Sequence, residues 1–485
     1  MRGNTDETGA KVSFWEKLGV SFLPYVLLGL DYLAIVAAEQ LSYVLRRKFL
    51  PFANPDFIIP NVYLYIIVPT IFLCFLHSSN THIRSMPFWK MAQSVFWAVL
   101  YALLTITMLM YFGKVSEVVS RLFVALTGIF GFAFILTARY GFKHYVNQRG
   151  FFQIPVLFIG AGKTAELVLH SFSKDSSFGY KVIGFLDDHP ISDSLMREYP
   201  LLGKLGDAER IVQQTGVKSV IITAPGLPPE KQVALVNRIQ PHVKNVSFVP
   251  DLIGTPVGSL EVESLMDEKL MLLKVRNNLA RWHNRAMKRL FDLVVSICGL
   301  PFVLLAAVVL GLLIYMDSPG PIVFAHRRVG QHGREFPCYK FRTMVPDAER
   351  VLQQYLLTHP EAEQEWQQDF KLKNDPRVTR VGAFLRRTSL DELPQVLNVI
   401  KGEMSLVGPR PIVRAEIEKY GEYINDFYLV PPGITGMWQV SGRSDTTYDE
   451  RVAMDSWYVR NWSVWLDMMY LLKTFKAVLA EKGAY

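Results

Sequence analysis

Residues 293–316 contain no charged side chain, and four further apolar segments, at residues 22–45, 58–76, 88–112 and 118–140, occupy the first third of the chain. Each approaches the ~20 residues a helix needs to cross the hydrocarbon core of a bilayer. Lipid offers no partner to backbone N–H and C=O groups, so such segments must satisfy them internally, as helices. The first four are therefore read as a transmembrane bundle. Asp31 and Glu39 lie in the first segment. Exposing either carboxylate to lipid costs on the order of 3 kcal/mol, so both are expected to face the bundle or a partner chain. An even number of spans returns the chain to its starting side, and Lys11, Lys17, Arg139, Lys143 and Arg149 favour the cytoplasm for that side, although Arg46-Arg47-Lys48 would then face outward.

The composition agrees with a membrane. Half of the 485 residues are hydrophobic, and the net charge of +8 suits anionic head groups or phosphorylated substrates. Charge alone does not dismiss a nucleic-acid partner. Cys74 and Cys298 lie in apolar runs and Cys338 stands alone, which gives neither a disulfide framework nor metal-ligand spacing. The first twenty residues are polar, so no cleavable signal peptide is expected.

Residues 151–275 read as a Rossmann-like α/β domain. Ile154-Pro155-Val156-Leu157-Phe158-Ile159 is a buried-strand pattern that runs into Gly160-Ala161-Gly162-Lys163-Thr164-Ala165, a G-x-G-x-x-A turn. A second strand, Val182 to Asp187, ends in an acid, and Val220-Ile221-Ile222-Thr223 and Val246-Ser247-Phe248-Val249-Pro250 continue the sheet. Gly160 and Gly162 are thereby candidate nucleotide-binding positions. The same glycines serve a fold kept for regulation or assembly, and no Tyr-x-x-x-Lys pair of dehydrogenase type lies in this segment.

The uncharged stretch after Asp292 is flanked by Arg285, Lys288 and Arg289 on one side and His326, Arg327 and Arg328 on the other. Basic residues at both ends, with Gly299-Leu300-Pro301 interrupting the helix, suit a kinked helix that enters and leaves by one face. An ordinary fifth span is the alternative. Farther on, Asp391-Glu392 follows Arg386-Arg387 and precedes Pro394. Proline is tolerated in a first helical turn, so a helix is expected to begin near Asp391, where its N-terminus favours anions. Ser389-Leu390-Asp391-Glu392 also fits a capping box, a purely structural use of the same residues.

From Lys288 onward the chain resembles the catalytic module of bacterial polyprenyl-phosphate hexose-1-phosphate transferases. The resemblance rests on Lys288-Arg289, Ser318-Pro319-Gly320-Pro321, Tyr339-Lys340-Phe341-Arg342-Thr343-Met344, Asn374-Asp375-Pro376-Arg377, Thr388-Ser389-Leu390-Asp391-Glu392-Leu393-Pro394-Gln395, Met404 through Pro411, and Pro432-Gly433-Ile434-Thr435-Gly436. It implies a membrane α-helical bundle (residues 1–150), the Rossmann-like α/β domain (151–275) and an α-rich monotopic catalytic domain (281–485) with a re-entrant membrane helix at 288–316. It further implies Asp391 as a nucleophile that forms a phospho-Asp intermediate, and Glu392, with Asp391, as ligand to Mg²⁺. Lys340, Arg386 and Arg410 become phosphate-binding cations, and Lys288 and Arg289 lie at the lipid head groups.

The implied reaction takes galactose-1-phosphate from UDP-galactose to undecaprenyl phosphate, releasing UMP, as the first step of O-antigen and lipopolysaccharide assembly. The same reaction on UDP-glucose, starting a capsule or exopolysaccharide, is the alternative. A catalytically silent, nucleotide-sensing membrane scaffold is the reading from another class. The implied setting is the bacterial inner membrane, multi-pass, with the catalytic domain in the cytoplasm, membrane lipid and a UDP-sugar as partners, and no nucleic acid. Architecture leads us to expect a homodimer. Trp457, Tyr458, Trp462, Trp465 and Tyr470 suit either a head-group layer or a packed core helix. Glu361-Ala362-Glu363-Gln364-Glu365 reads as a solvated face, His326 and His332 are given no metal, and Asp467 is expected to be structural.

Overall fold

The computed structural model of the chain describes residues 14–49, 59–79, 81–82, 86–113, 120–175, 179–190, 192–250, 260–265, 270–275, 278–359, 361, 363, 372, 375–441 and 446–479. They belong to two compact units, Met1–Asp251 and Leu252–Tyr485.

The first unit begins with helices α1 (Phe14–Phe49), α2 (Val68–Ser78), α3 (Phe88–Phe112) and α4 (Arg121–Gln148). Helices α1, α3 and α4 are long and apolar enough to cross a membrane, whereas the second apolar segment is helical over only Tyr63–Ser78. That segment is shorter than expected, and it opens on a π-helical turn, Tyr63–Ile67. Pro69 explains the turn: proline has no N–H and its ring displaces the carbonyl four residues back, here Tyr65. The Tyr65 oxygen instead accepts the Tyr32 hydroxyl of α1 at 3.0 Å.

Ile35, Phe72, Leu76, Met91, Val95 and Ile135 form the bundle core. Asp31 is fully buried in it, accepting Arg139 Nε at 2.8 Å and facing His82 Nε2 at 2.7 Å. Glu39 is buried too, and neither of its oxygens has a hydrogen-bond partner. Both acids thus face inward, as expected. Arg139 is a correction: it is 0% exposed and pairs with Asp31 inside the bundle, so it is not a flanking charge that sets orientation. Arg46 is likewise internal, 3% exposed with Nε 3.0 Å from Ser120 Oγ.

The α/β part follows as β1 (Ile154–Ile159), α5 (Lys163–Lys174), β2 (Tyr180–Leu186), α6 (Asp193–Glu198), β3 (Leu201–Gly203), α7 (Ala208–Thr215), β4 (Ser219–Ile222), α8 (Pro229–Ile239) and β5 (Asn245–Phe248). The strands form one parallel sheet in the order β3-β2-β1-β4-β5. Alternation of strand and helix dictates this, because parallel neighbours need a crossover and the helices must cover both faces. Along β1 the side chains divide accordingly: Leu157 and Ile159 join one core, Val156 and Phe158 the other.

The second unit contains an antiparallel hairpin, β6 (Leu260–Leu265) and β7 (Leu270–Val275), and then helix α9 (Trp282–Asp317). Strands β8 (Val323–Val329) and β9 (Glu335–Phe341) pair antiparallel, followed by α10 (Ala348–Thr358), α11 (Arg380–Thr388) and α12 (Gln395–Lys401). Strand β10 (Ser405–Val407) precedes α13 (Ile424–Tyr428) and pairs parallel with β11 (Gly433–Thr435); α14 (Met437–Ser441), α15 (Tyr448–Asn461) and α16 (Val464–Leu479) close the unit.

Helix α9 is continuous through Pro301, and both of its ends are fastened within this unit. Near the start, Lys288 Nζ donates to Val407 O at 2.9 Å and Asp292 accepts Ser405 Oγ at 2.8 Å. At the other end Asp317 accepts the Val381 N–H at 2.9 Å, and Leu310 and Ile314 pack with Phe341 and Leu385. Between these anchors Phe302, Leu305 and Val308 are 76%, 69% and 72% exposed, an apolar stretch that no described residue of the unit covers.

Lys288 and Arg289, expected at the lipid head groups, make contacts within the unit. Lys288 is 3% exposed and directs its ammonium to Val407 O, Tyr458 OH and Asp467. Arg289 caps the end of α12 through Val399 O and Ile400 O. Carbonyls left without partners at a helix C-terminus are natural acceptors for a guanidinium, which explains the inward turn. Of the C-terminal aromatics, Tyr458, Trp462 and Tyr470 choose the core at only 1–2% exposure, while Trp457 and Trp465 are half-buried.

Candidate active site

Helix α11 starts at Thr379, whose hydroxyl accepts the Gly382 N–H at 2.9 Å, and ends at Ser389 in the left-handed region at φ 56°. That conformation costs an L-residue about 1–2 kcal/mol, and here it reverses the chain directly before the acid pair. Leu390–Glu392 then forms a 3-10 turn, Pro394 is the N-cap, and α12 begins at Gln395 rather than near Asp391. The capping box is absent: Ser389 makes no side-chain cap bond. Its backbone already terminates α11, and a left-handed residue cannot also hold the extended conformation usual for an N-cap. Leu390 and Leu393 pack into the cluster of Leu310, Ile314, Phe341 and Leu385, which anchors the turn carrying Asp391 and Glu392.

Lys340, near the end of β9, brings an ammonium to the pair. Its Nζ lies 2.6 Å from Glu392 Oε1 and 3.6 Å from Asp391 Oδ2. Strand β9 is held to α12 by Asn398, which accepts the Tyr339 N–H at 3.1 Å and donates to Pro337 O at 2.7 Å. Arg386 donates from Nε to Thr343 Oγ1 at 3.0 Å, and its charge acts on Asp391. Arg410, on the Gly408-Pro409-Arg410 turn, is attracted by Glu392 and lies 5.5 Å from the centroid of Trp438. A side chain on Gly408 would come within 2.9 Å of Pro431 O, so this turn requires glycine. Asp455 supports Arg410 from behind, accepting its backbone N–H and the Tyr420 hydroxyl, the latter at 2.9 Å.

Removal from water raises the Asp391 pKa; Lys340 opposes this, the Glu392 charge adds to it, and Arg386 opposes it. Burial works against the Lys340 ammonium, yet the two carboxylates hold its pKa above the ordinary value. The result is a carboxylate more basic than usual, adjacent to a fixed cation. Such a pair can attack an electrophilic phosphorus or hold a hard cation.

The donor set fits Mg²⁺, which prefers one or two carboxylates and completes its shell with water and substrate phosphate. Asp391 and Glu392 supply that pair, and the Lys340 ammonium resting on both shows that the spot favours positive charge. No group of three metal-ligating side chains occurs among the described residues.

The glycine turn of the α/β part has different chemistry. Gly160 has φ 105°, and a Cβ there would meet the Thr223 backbone at 2.9 Å. Asp187, the acid a ribose would need, instead accepts Ala161 N–H at 2.6 Å and His189 N–H at 2.8 Å. Ser192 donates to Glu166 in the first turn of α5. Gly162 has open space around it, but its acid partner is committed elsewhere.

Sequence reading missed Asn398, Asp455, Tyr420, Trp438 and Arg451. None forms a local motif with the acid pair; their relation to it exists only in the fold.

Residues 283–481 match the bacterial sugar transferase family, and residues 81–250 match a CoA-binding domain. The chain is 41% identical over 348 residues to an undecaprenyl-phosphate galactose phosphotransferase from Salmonella typhimurium, covering 71% of this chain and 72% of that protein. It is 37% identical over 406 residues to a UDP-galactose-lipid carrier transferase from Erwinia amylovora, covering 82% and 83% respectively. Identity is 32% over 391 residues to a UDP-glucose:undecaprenyl-phosphate glucose-1-phosphate transferase from Xanthomonas campestris, covering 77% of each.

Proposed function

The chain belongs to the polyprenyl-phosphate hexose-1-phosphate transferase family, and on that premise we propose that it moves galactose-1-phosphate from UDP-galactose to undecaprenyl phosphate, releasing UMP, to begin O-antigen and lipopolysaccharide assembly. The observation that carries this reading is the Lys340 ammonium shared by adjacent carboxylates, with Arg386 acting on Asp391 and Arg410 on Glu392.

The two substrates are both anions and repel each other, so a covalent route that handles them in turn is favoured. In the first step an Asp391 oxygen bonds to the sugar-bearing phosphorus as the phosphorus–oxygen bond to UMP breaks, and the electron pair departs on UMP. In the second, an oxygen of the lipid phosphate attacks the same phosphorus and returns the Asp391 carboxylate. Lys340, Arg386 and Arg410 offset the charge on the phosphoryl oxygens in both steps. Mg²⁺, held by Asp391 and Glu392, would spread that charge further. Between steps, the anchored Leu390–Glu392 turn keeps Asp391 oriented.

The lipid phosphate needs a site at membrane level. Both ends of α9 are fastened to the catalytic unit while its middle exposes apolar side chains, and this supports a helix that dips into one leaflet and returns. The cytoplasmic face of the inner membrane, where UDP-sugars are available, is the setting this requires.

Galactose rests on the relatives from Salmonella and Erwinia; the Xanthomonas relative keeps UDP-glucose as the second reading. The test is turnover by the full chain in lipid with Mg²⁺, undecaprenyl phosphate and labelled UDP-galactose or UDP-glucose in parallel. UMP release with labelled lipid from UDP-galactose supports the reading. Turnover of UDP-glucose alone replaces the sugar, and turnover of neither UDP-hexose leaves the silent scaffold.

A further inference from the structure

Beyond Arg410 lies a group of hydrogen-bond donors that meet no acceptor among the described residues. Trp438 is 8% exposed and its indole Nε1 has no partner, Arg451 leaves Nε and Nη2 unpartnered, and the Tyr448 hydroxyl makes no bond. They form one cluster. The Arg451 guanidinium carbon lies 4.7 Å from the centroid of Trp438 and 5.2 Å from that of Tyr448, and Arg410 lies over Trp438 as well. Buried polar groups almost always find a partner, so several unpaired donors side by side call for an explanation.

Among the described residues, Asp455, Glu416 and Glu450 do not provide one. Asp455 is occupied by Tyr420 and the Arg410 backbone, Glu416 accepts the Val413 N–H, and Glu450 closes the Thr447 capping box. Arg451 and Arg328 each repel Arg410, while Glu392 and Glu416 attract it, so three guanidinium groups meet here beside these acids. Burial raises the Tyr448 pKa to about 12, which leaves its hydroxyl a donor at neutral pH. An anion with several oxygens is the ligand that answers all of these groups at once.

We propose that Trp438, Tyr448 and Arg451 form a subsite for the nucleotide phosphate of the donor, the one that departs with UMP. This rests on the reading given under Proposed function. Arg410 joins the two halves of the site, since it is attracted by Glu392 on one side and lies over Trp438 on the other. As the bond from phosphorus to the bridging oxygen breaks, the electron pair moves onto the UMP phosphate, and Arg410 and Arg451 receive the added charge. The second step has no nucleotide, so the subsite acts only in the first.

The test compares wild type, Arg451→Gln and Tyr448→Phe as full chains in lipid nanodiscs. Three quantities are read: KM for the UDP-sugar, KM for undecaprenyl phosphate, and the thermal shift caused by UMP. In Arg451→Gln, the UDP-sugar KM and the UMP concentration for half-maximal shift should both rise about tenfold or more, with a smaller rise in Tyr448→Phe. The lipid KM should not move. UMP binding and UDP-sugar KM within twofold of wild type in both variants would overturn the proposal, and so would a rise confined to the lipid KM. Tyr448→Phe removes a single hydroxyl, so it remains readable should Arg451→Gln fail to fold. If wild type turned over no UDP-hexose, the proposed function would fail, while the UMP thermal shift and its loss in the variants would still decide the subsite.

Discussion

Lys288 Nζ lies 2.9 Å from Asp467 Oδ2, a buried ion pair that joins α9 to α16 across 179 residues of sequence. Tyr458 and Trp462 donate to the same carboxylate, at 2.6 and 3.0 Å. Three polar side chains of the catalytic unit therefore converge on Asp467, and the start of α9 is fixed to the last helix of the unit.

Lys288→Met should destabilise the protein by about 3–5 kcal/mol, because it leaves the buried Asp467 without its cation. Thermal unfolding in a single detergent checks this. Replacing Asp467 by Asn in the same background should recover part of the loss.

Asp391→Asn should abolish the covalent intermediate and all transfer, read as absence of labelled protein and labelled lipid. It should also raise the melting temperature near pH 7. The folded-state pKa of Asp391 is raised, so folding favours its protonated form; that contribution is full below the unfolded value of 3.8 and is lost as pH rises through the folded one. The neutral amide avoids the loss, and its advantage should vanish below about pH 4.

Asp455 gives a second pH signature. Burial is the largest cause that raises its pKa to about 7, and stability should decline from pH 4 to 7 as it ionises. Asp455→Asn should flatten that decline in a series of melting curves. Its effect on activity should appear as a higher UDP-sugar KM, through the loosened Arg410 backbone.

Trp282 and Met316 are 75% and 72% exposed near the two ends of α9. Cysteines placed singly at these positions, in a background lacking Cys74, Cys298 and Cys338, should react with an impermeant reagent from the same side of sealed vesicles. Labelling from opposite sides would establish a fifth span.

Much of the catalytic unit can be read from the chain because its chemistry is local: Asp391 and Glu392 are adjacent, and Arg386 precedes them by less than two helical turns. The α/β order follows from alternating patterns, and the parallel sheet is its consequence. Other relations need the fold. Ser389-Leu390-Asp391-Glu392 is the sequence of a capping box, yet Ser389 ends one helix instead of starting the next. Arg139 looks like a membrane-flanking charge until Asp31, 108 residues earlier, is placed opposite it. Lys288 and Arg289 look like head-group ligands for the same reason: nothing local reveals Val407, Asp467 or Ile400 as their partners.

The two anchors of α9 also affect how the reaction must be measured. On the proposed re-entrant reading, a catalytic unit tied at both ends of an apolar helix works at a fixed depth, so its acceptor arrives by lateral diffusion in a plane while its donor arrives from bulk solution. Its rate should therefore follow the mole fraction of polyprenyl phosphate in the membrane, and diluting that lipid with inert phospholipid should slow turnover even when its total amount per millilitre is unchanged.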